Sequence, residues 1–114
     1  MNDFNKAWEV LLANLQSKIA DDIDLKGVLF LIGVQELQQG IKEFNKEEKQ
    51  DILHLAICKV LSLFGYYKFE KLDADGWPHF TELKPIKNLT EKQQDLLIKQ
   101  AIISYFESTS NTSE

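Results

Sequence analysis

The sequence predicts an α+β domain, mainly α, with four helices and a two-stranded β-hairpin between the third and the fourth. Three observations carry this expectation. Between Lys49 and Phe64, Ile52, Ala56, Val60 and Phe64 recur every four residues while Leu53, Ile57 and Leu61 fill the adjacent row, so a helix here is apolar around most of its circumference. After Gly65 the pattern changes to Tyr66-Tyr67-Lys68-Phe69-Glu70-Lys71-Leu72, a turn at Asp73-Ala74-Asp75-Gly76, then Trp77-Pro78-His79-Phe80. Helical spacing returns on both sides of this unit, opened by residues that cap helices.

The first helix follows Asn2 or Asp3 as cap and carries Phe4, Trp8, Leu11, Leu12, Leu15 and Ile19 on one stripe. Asp21-Asp22-Ile23-Asp24 reads as a connection, with Asp24 capping the next element. Val28 to Ile32 alone suits a buried strand, but Gln35, Glu36, Gln38 and Gln39 around Leu37 favour a helix from Leu25 to about Gly40. Leu29, Gly33, Leu37 and Ile41 lie four apart, and a glycine in that row lets another helix come close. Residues Ile41 to Phe44 bridge to the third helix, where Asn45 and Glu48 form a capping box and Gly65 provides the stop.

The hairpin, residues 66–83, is expected to set Leu72 opposite Trp77, Glu70 opposite His79 and Phe69 opposite Phe80. Tyr67, Phe69 and Phe80 then cover the helices, while Tyr66, Leu72 and Trp77 face outward with Glu70 and His79 between them. A Glu70–His79 ion pair follows from the same register. Pro78 has no amide hydrogen and requires an open strand edge. Thr90 and Gln93 cap the last helix, whose inward face carries Leu97, Ile98, Ala101, Ile102, Tyr105 and Phe106. The expected domain is residues 1–107, followed by a flexible polar tail at 108–114.

With 114 residues and 44% hydrophobic side chains, the chain suits one domain burying about two-thirds of its unfolded surface. No apolar run approaches the ~20 residues of a membrane span, so no membrane association is expected. No basic-then-apolar leader opens the sequence, and the lone Cys58 has no internal disulfide partner. A cytoplasmic setting is the expectation. Net charge is −5, and all 13 basic residues are lysines. Without arginine or a basic block, nucleic acid is not an expected partner.

Three patterns suggest chemistry. Asp51, His54, Cys58 and Ser62 fall on one stripe of the third helix, and His with Cys at i, i+4 suits zinc or an activated thiol, with His79 as a distant third member. The plainer reading, a polar helix edge with Cys58 as small filler, is preferred, and no cofactor is expected. Lys71-x-Asp73-x-Asp75-Gly76 with Glu82 imitates a calcium loop, yet the first position is Lys71 and Pro78 sits at the eighth, so a hairpin turn is preferred. The element order matches a winged-helix DNA binder, but Glu47, Glu48 and Asp51 beside Lys46, Lys49 and Lys59 give a poor phosphate surface.

Leu31-Ile32-Gly33-Val34-Gln35-Glu36-Leu37, His54-x-Ala56-x-Cys58, Gly65-Tyr66-Tyr67 and Asp73-x-Asp75-Gly76-Trp77-Pro78-His79 together resemble a family of small, uncharacterised bacterial domains. The resemblance spans most of Leu25 to Phe106. It implies a bacterial, cytoplasmic protein and brings neither an activity nor a functional residue. The sequence therefore points to a non-catalytic protein-interaction or self-associating domain, with Tyr66, Glu70, Trp77 and His79 as its surface. A small enzyme or metal-binding protein using His54, Cys58 and His79 is the alternative, and a winged-helix-like DNA binder comes third.

Overall fold

Helix α1 spans Asn2–Lys18, α2 Leu25–Leu37 and α3 Lys46–Ser62; strands β1 (Tyr67–Leu72) and β2 (Pro78–Glu82) form the hairpin, and α4 spans Glu91–Thr112. The computed structural model describes residues 2–19, 21–37 and 43–112, with the side chains of 2–5 and 109–112 not described. The expected end of the second helix near Gly40, the first half of the bridge after it, and the side chains of Asn2, Asp3 and Phe4 lie outside the described residues. No helix among the described residues is long and apolar enough to cross a membrane.

Helix α3 is central because its sequence leaves few polar rows: it packs against α2, α4 and both strands. Its capping box is formed as expected, with the Glu48 amide donating to Asn45 Oδ1 at 2.8 Å and the Asn45 amide to Glu48 Oε1 at 2.9 Å. The helix stops in a Schellman motif. The Tyr66 amide donates to Leu61 O at 3.1 Å, the Gly65 amide to Ser62 O at 3.2 Å, and Gly65 takes φ 82°.

Helices α2 and α3 approach at Gly33. A Cβ added there would lie 2.5 Å from both Ile52 Cγ2 and the Ile52 carbonyl oxygen. Asp24 Oδ1 caps α2 by accepting the Gly27 amide at 3.0 Å. One core cluster gathers Trp8, Val28, Leu29, Ile32, Ala56, Val60, Leu61, Ala101, Ile102 and Tyr105 from all four helices. A second lies under the hairpin, where Phe30, Val34, Phe44, Trp77 and Phe80 surround Leu37, Ile52 and Leu55.

Three expectations change. Ile19 leaves the apolar stripe: α1 has ended at Lys18, and Ile19 is 53% exposed. Helix α4 opens with the expected Thr90–Gln93 box but continues to Thr112, into the segment read as a tail. The hairpin register also differs beyond its middle.

Phe69 does pair with Phe80, their rings edge-to-face at 5.8 Å. A bulge at Glu70 then makes Lys71 the partner of His79 and Leu72 the partner of Pro78. The loop causes this shift. Asp73 Oδ1 accepts the amides of Asp75 and Trp77, each at 2.9 Å, while the Asp73 amide donates to Trp77 O at 3.0 Å. Trp77 thus closes the loop instead of opening the strand, and one residue of β1 must bulge. In this two-stranded sheet each strand keeps one unpaired edge, as Pro78 requires.

A candidate binding cleft between the central helix and the hairpin

The bulge decides which side chains face α3. Residues directly opposite in an antiparallel pair share a face, so Tyr67, Phe69, Leu72, Pro78, Phe80 and Glu82 lie on one side. Lys68, Lys71, His79 and Thr81 occupy the other. The outward face is therefore basic and polar, and the expected outer cluster of Tyr66, Glu70, Trp77 and His79 is not formed. Tyr66 is half-buried against the helical core, its ring 4.9 Å from Lys84 Nζ. Trp77 is half-buried against the second cluster. Glu70 is exposed at the bulge. His79 pairs with Asp73 instead of Glu70, Nε2 lying 2.9 Å from Asp73 Oδ2. That hydrogen bond, followed by the Trp77 amide, holds the Asp73 carboxyl below its ordinary range.

Between α3 and the hairpin lies a cavity of about 370 Å³ lined by His54, Leu55, Cys58, Tyr67, Trp77, Pro78, His79, Phe80 and Glu82. The helix contributes His54, Leu55 and Cys58 because positions 54, 55 and 58 fall on one side of α3. The hairpin contributes the aromatic wall. His54, Cys58 and His79, far apart in sequence, thus border one space. His79 does so with its side chain 51% exposed.

His54 Nε2 is 3.5 Å from Cys58 Sγ, within reach of a thiol hydrogen bond. The sulfur is buried, and burial followed by the Glu82 charge pushes the Cys58 thiol up to about 11. It is held as a thiol at neutral pH, the reverse of an activated nucleophile. Tyr67 is raised as well, by burial first, then by Cys58 and Glu82. Among the described residues no three His, Cys, Asp or Glu side chains come together as a metal-binding set. The other members of the polar stripe stay apart: Asp51 is exposed, and Ser62 donates to Lys59 O at 2.6 Å.

Tyr67 and Glu82 belong to the cleft, although the sequence reading gave Tyr67 only a place on the face covering the helices and met Glu82 only in the calcium-loop pattern it set aside. The available signal was their shared alternation with Phe80, which puts all three on the face covering α3. Sequence reasoning also missed a junction of three helices. Tyr105 Oη donates to Glu36 Oε2 at 2.7 Å and accepts from Gln35 Nε2 at 2.9 Å, while Lys59 Nζ lies 3.7 Å from Glu36 Oε1. Burial and the Glu36 hydrogen bond raise the Tyr105 hydroxyl above its usual range. These groups satisfy one another inside the bundle and read as structural.

Comparison with protein-family models, with curated proteins and with solved structures finds no match for this chain.

Proposed function

We propose that the chain is a non-catalytic protein-interaction domain that engages a partner through the α3–hairpin cleft and its apolar margin. The observation carrying this reading is the placement of Phe69 and Leu72, 50% and 58% exposed, on the same hairpin face as cavity residues Pro78 and Phe80. Large apolar side chains left in water beside an open cavity are suited to burial by a second protein surface. The binding face is thus the inner side of the hairpin where it extends past α3. The family resemblance and the lone cysteine add a bacterial, cytoplasmic setting to the proposal, and the lysine-only, acidic composition argues against nucleic acid.

The test is a Phe69→Ser/Leu72→Ser variant compared with the parent by light scattering and by co-purification from cell extract. Both sites are exposed, so folding should be kept while the partner set or the self-associated species is lost. An unchanged oligomer together with an unchanged partner set would overturn the proposal.

A second reading has one favourable observation: His54, Cys58 and His79 border a single cavity. As a small enzyme or metal-binding protein the chain would use the His54–Cys58 pair. The raised thiol weighs against it, as does the lack of a third ligand among the described residues, and thiol reactivity is its test.

A further inference from the structure

We infer that the cleft receives the positively charged end of a lysine or arginine side chain presented by a partner protein. This rests on the interaction reading above and names the chemistry that the cleft recognises. Three aromatic residues, Tyr67, Trp77 and Phe80, and the acidic residue Glu82 line the cavity. Aromatic faces carry negative quadrupole charge and attract ammonium or guanidinium groups; a carboxylate beside them adds direct Coulomb attraction.

Among the described residues, no lysine lines this cavity, although the chain has 13. Lys68 and Lys71, the lysines of the hairpin strands, share the register face of His79, but of these three only His79 borders the cavity. Beyond the effect of burial, the Glu82 charge raises both Cys58 and Tyr67, so it acts on two other residues of the cavity lining. Cys58 and Tyr67, both raised, stay uncharged at neutral pH and bring no charge of their own to the cavity. A protein segment fits better than a free amine because Phe69 and Leu72 extend an apolar margin beyond the cavity, where residues flanking the basic side chain can lie. Phe80 and Trp77 are also packed against the Leu37, Ile52 and Leu55 cluster, which fixes the wall before a ligand arrives.

The probes are Nα-acetyl-lysine methylamide and Nα-acetyl-arginine methylamide, with the Nε-acetylated lysine and the glutamate analogue as neutral and anionic counterparts. Each is titrated into the intact ¹⁵N-labelled chain at pH 8. The expected result is that the two cations shift the Tyr67 and Phe80 amides and the Trp77 indole N–H. They should bind about fivefold more tightly than the neutral analogue, with the preference lost in Glu82→Gln. Glu82 is exposed, and an unchanged spectrum away from the cleft verifies that the variant is folded.

Equal binding of neutral and cationic probes, or a preference for the anion, overturns the inference and leaves the interaction reading in place. Shifts confined to other surfaces, or no shifts, overturn it too. The interaction reading fails separately, if the Phe69→Ser/Leu72→Ser variant keeps its associations.

Discussion

At the scale of single residues, the decisive quantity is the protonation of Cys58. A thiol raised to about 11 presents about a hundredfold less thiolate near neutral pH than one at 9.0, before any steric protection. Native protein should therefore react with a disulfide reagent at pH 8 at least about a hundredfold more slowly than the same chain in denaturant. The rate should keep rising as pH approaches 11. Reaction as fast as in the denatured chain would revive the enzymatic reading. The sign of the Asp73 shift is the opposite one. Its lowered carboxyl stabilises the loop above the ordinary aspartate range, and that contribution fades as acid titrates the folded group.

At the scale of elements, the α2–α3 crossing depends on a missing side chain. Alanine at Gly33 would improve helix propensity by about 1 kcal/mol, yet its Cβ would meet a backbone oxygen that cannot rotate away. Gly33→Ala should cost about 1–3 kcal/mol in urea denaturation. Gly27→Ala is the useful contrast, because its closest neighbour at 2.7 Å is the Ile23 Cγ1 side-chain atom, which can shift. If both variants melt alike, close helix approach at Gly33 is not what positions α2. The hairpin shows the same dependence on local chemistry. One aspartate carboxylate, taking two loop amides, moves Trp77 out of the strand and makes Glu70 the extra residue.

At the scale of the whole molecule, α3 belongs to both core clusters: Ala56, Val60 and Leu61 lie in one, Ile52 and Leu55 in the other. The hairpin should therefore melt with the helices instead of ahead of them. Trp77→Ala tests this, since the remaining Trp8 reports on the far side of the core. The variant should lower stability by about 1–3 kcal/mol, less than for a fully buried tryptophan, and the Trp8 fluorescence transition should move with it. A Trp8 transition at the parent position, with the hairpin signals lost earlier, would show two separate units.

The sequence by itself determined the four helices, the hairpin, both complete capping boxes, the glycine stop after α3 and the close approach at Gly33. Each depends on neighbours along the chain or on a period that one helix face expresses alone. It also determined that Cys58 fills space beside His54, since i, i+4 residues meet on any helix. Tertiary structure decided the site. Whether Leu72 shares a face with Phe80 or with His79 depends on a single-residue bulge, because side chains alternate across a strand and one extra residue exchanges the faces, while Trp77 is set by the loop that holds its amide. The sequence reading, lacking that bulge, paired Glu70 with His79, and by extending strand alternation to Tyr66 and Trp77 it put both outside. The folded chain instead pairs His79 with Asp73 and turns both aromatics inward. Glu82 joins Cys58 across twenty-four positions of sequence only because the hairpin lies on α3, and long-range placement of that kind leaves no local pattern to read.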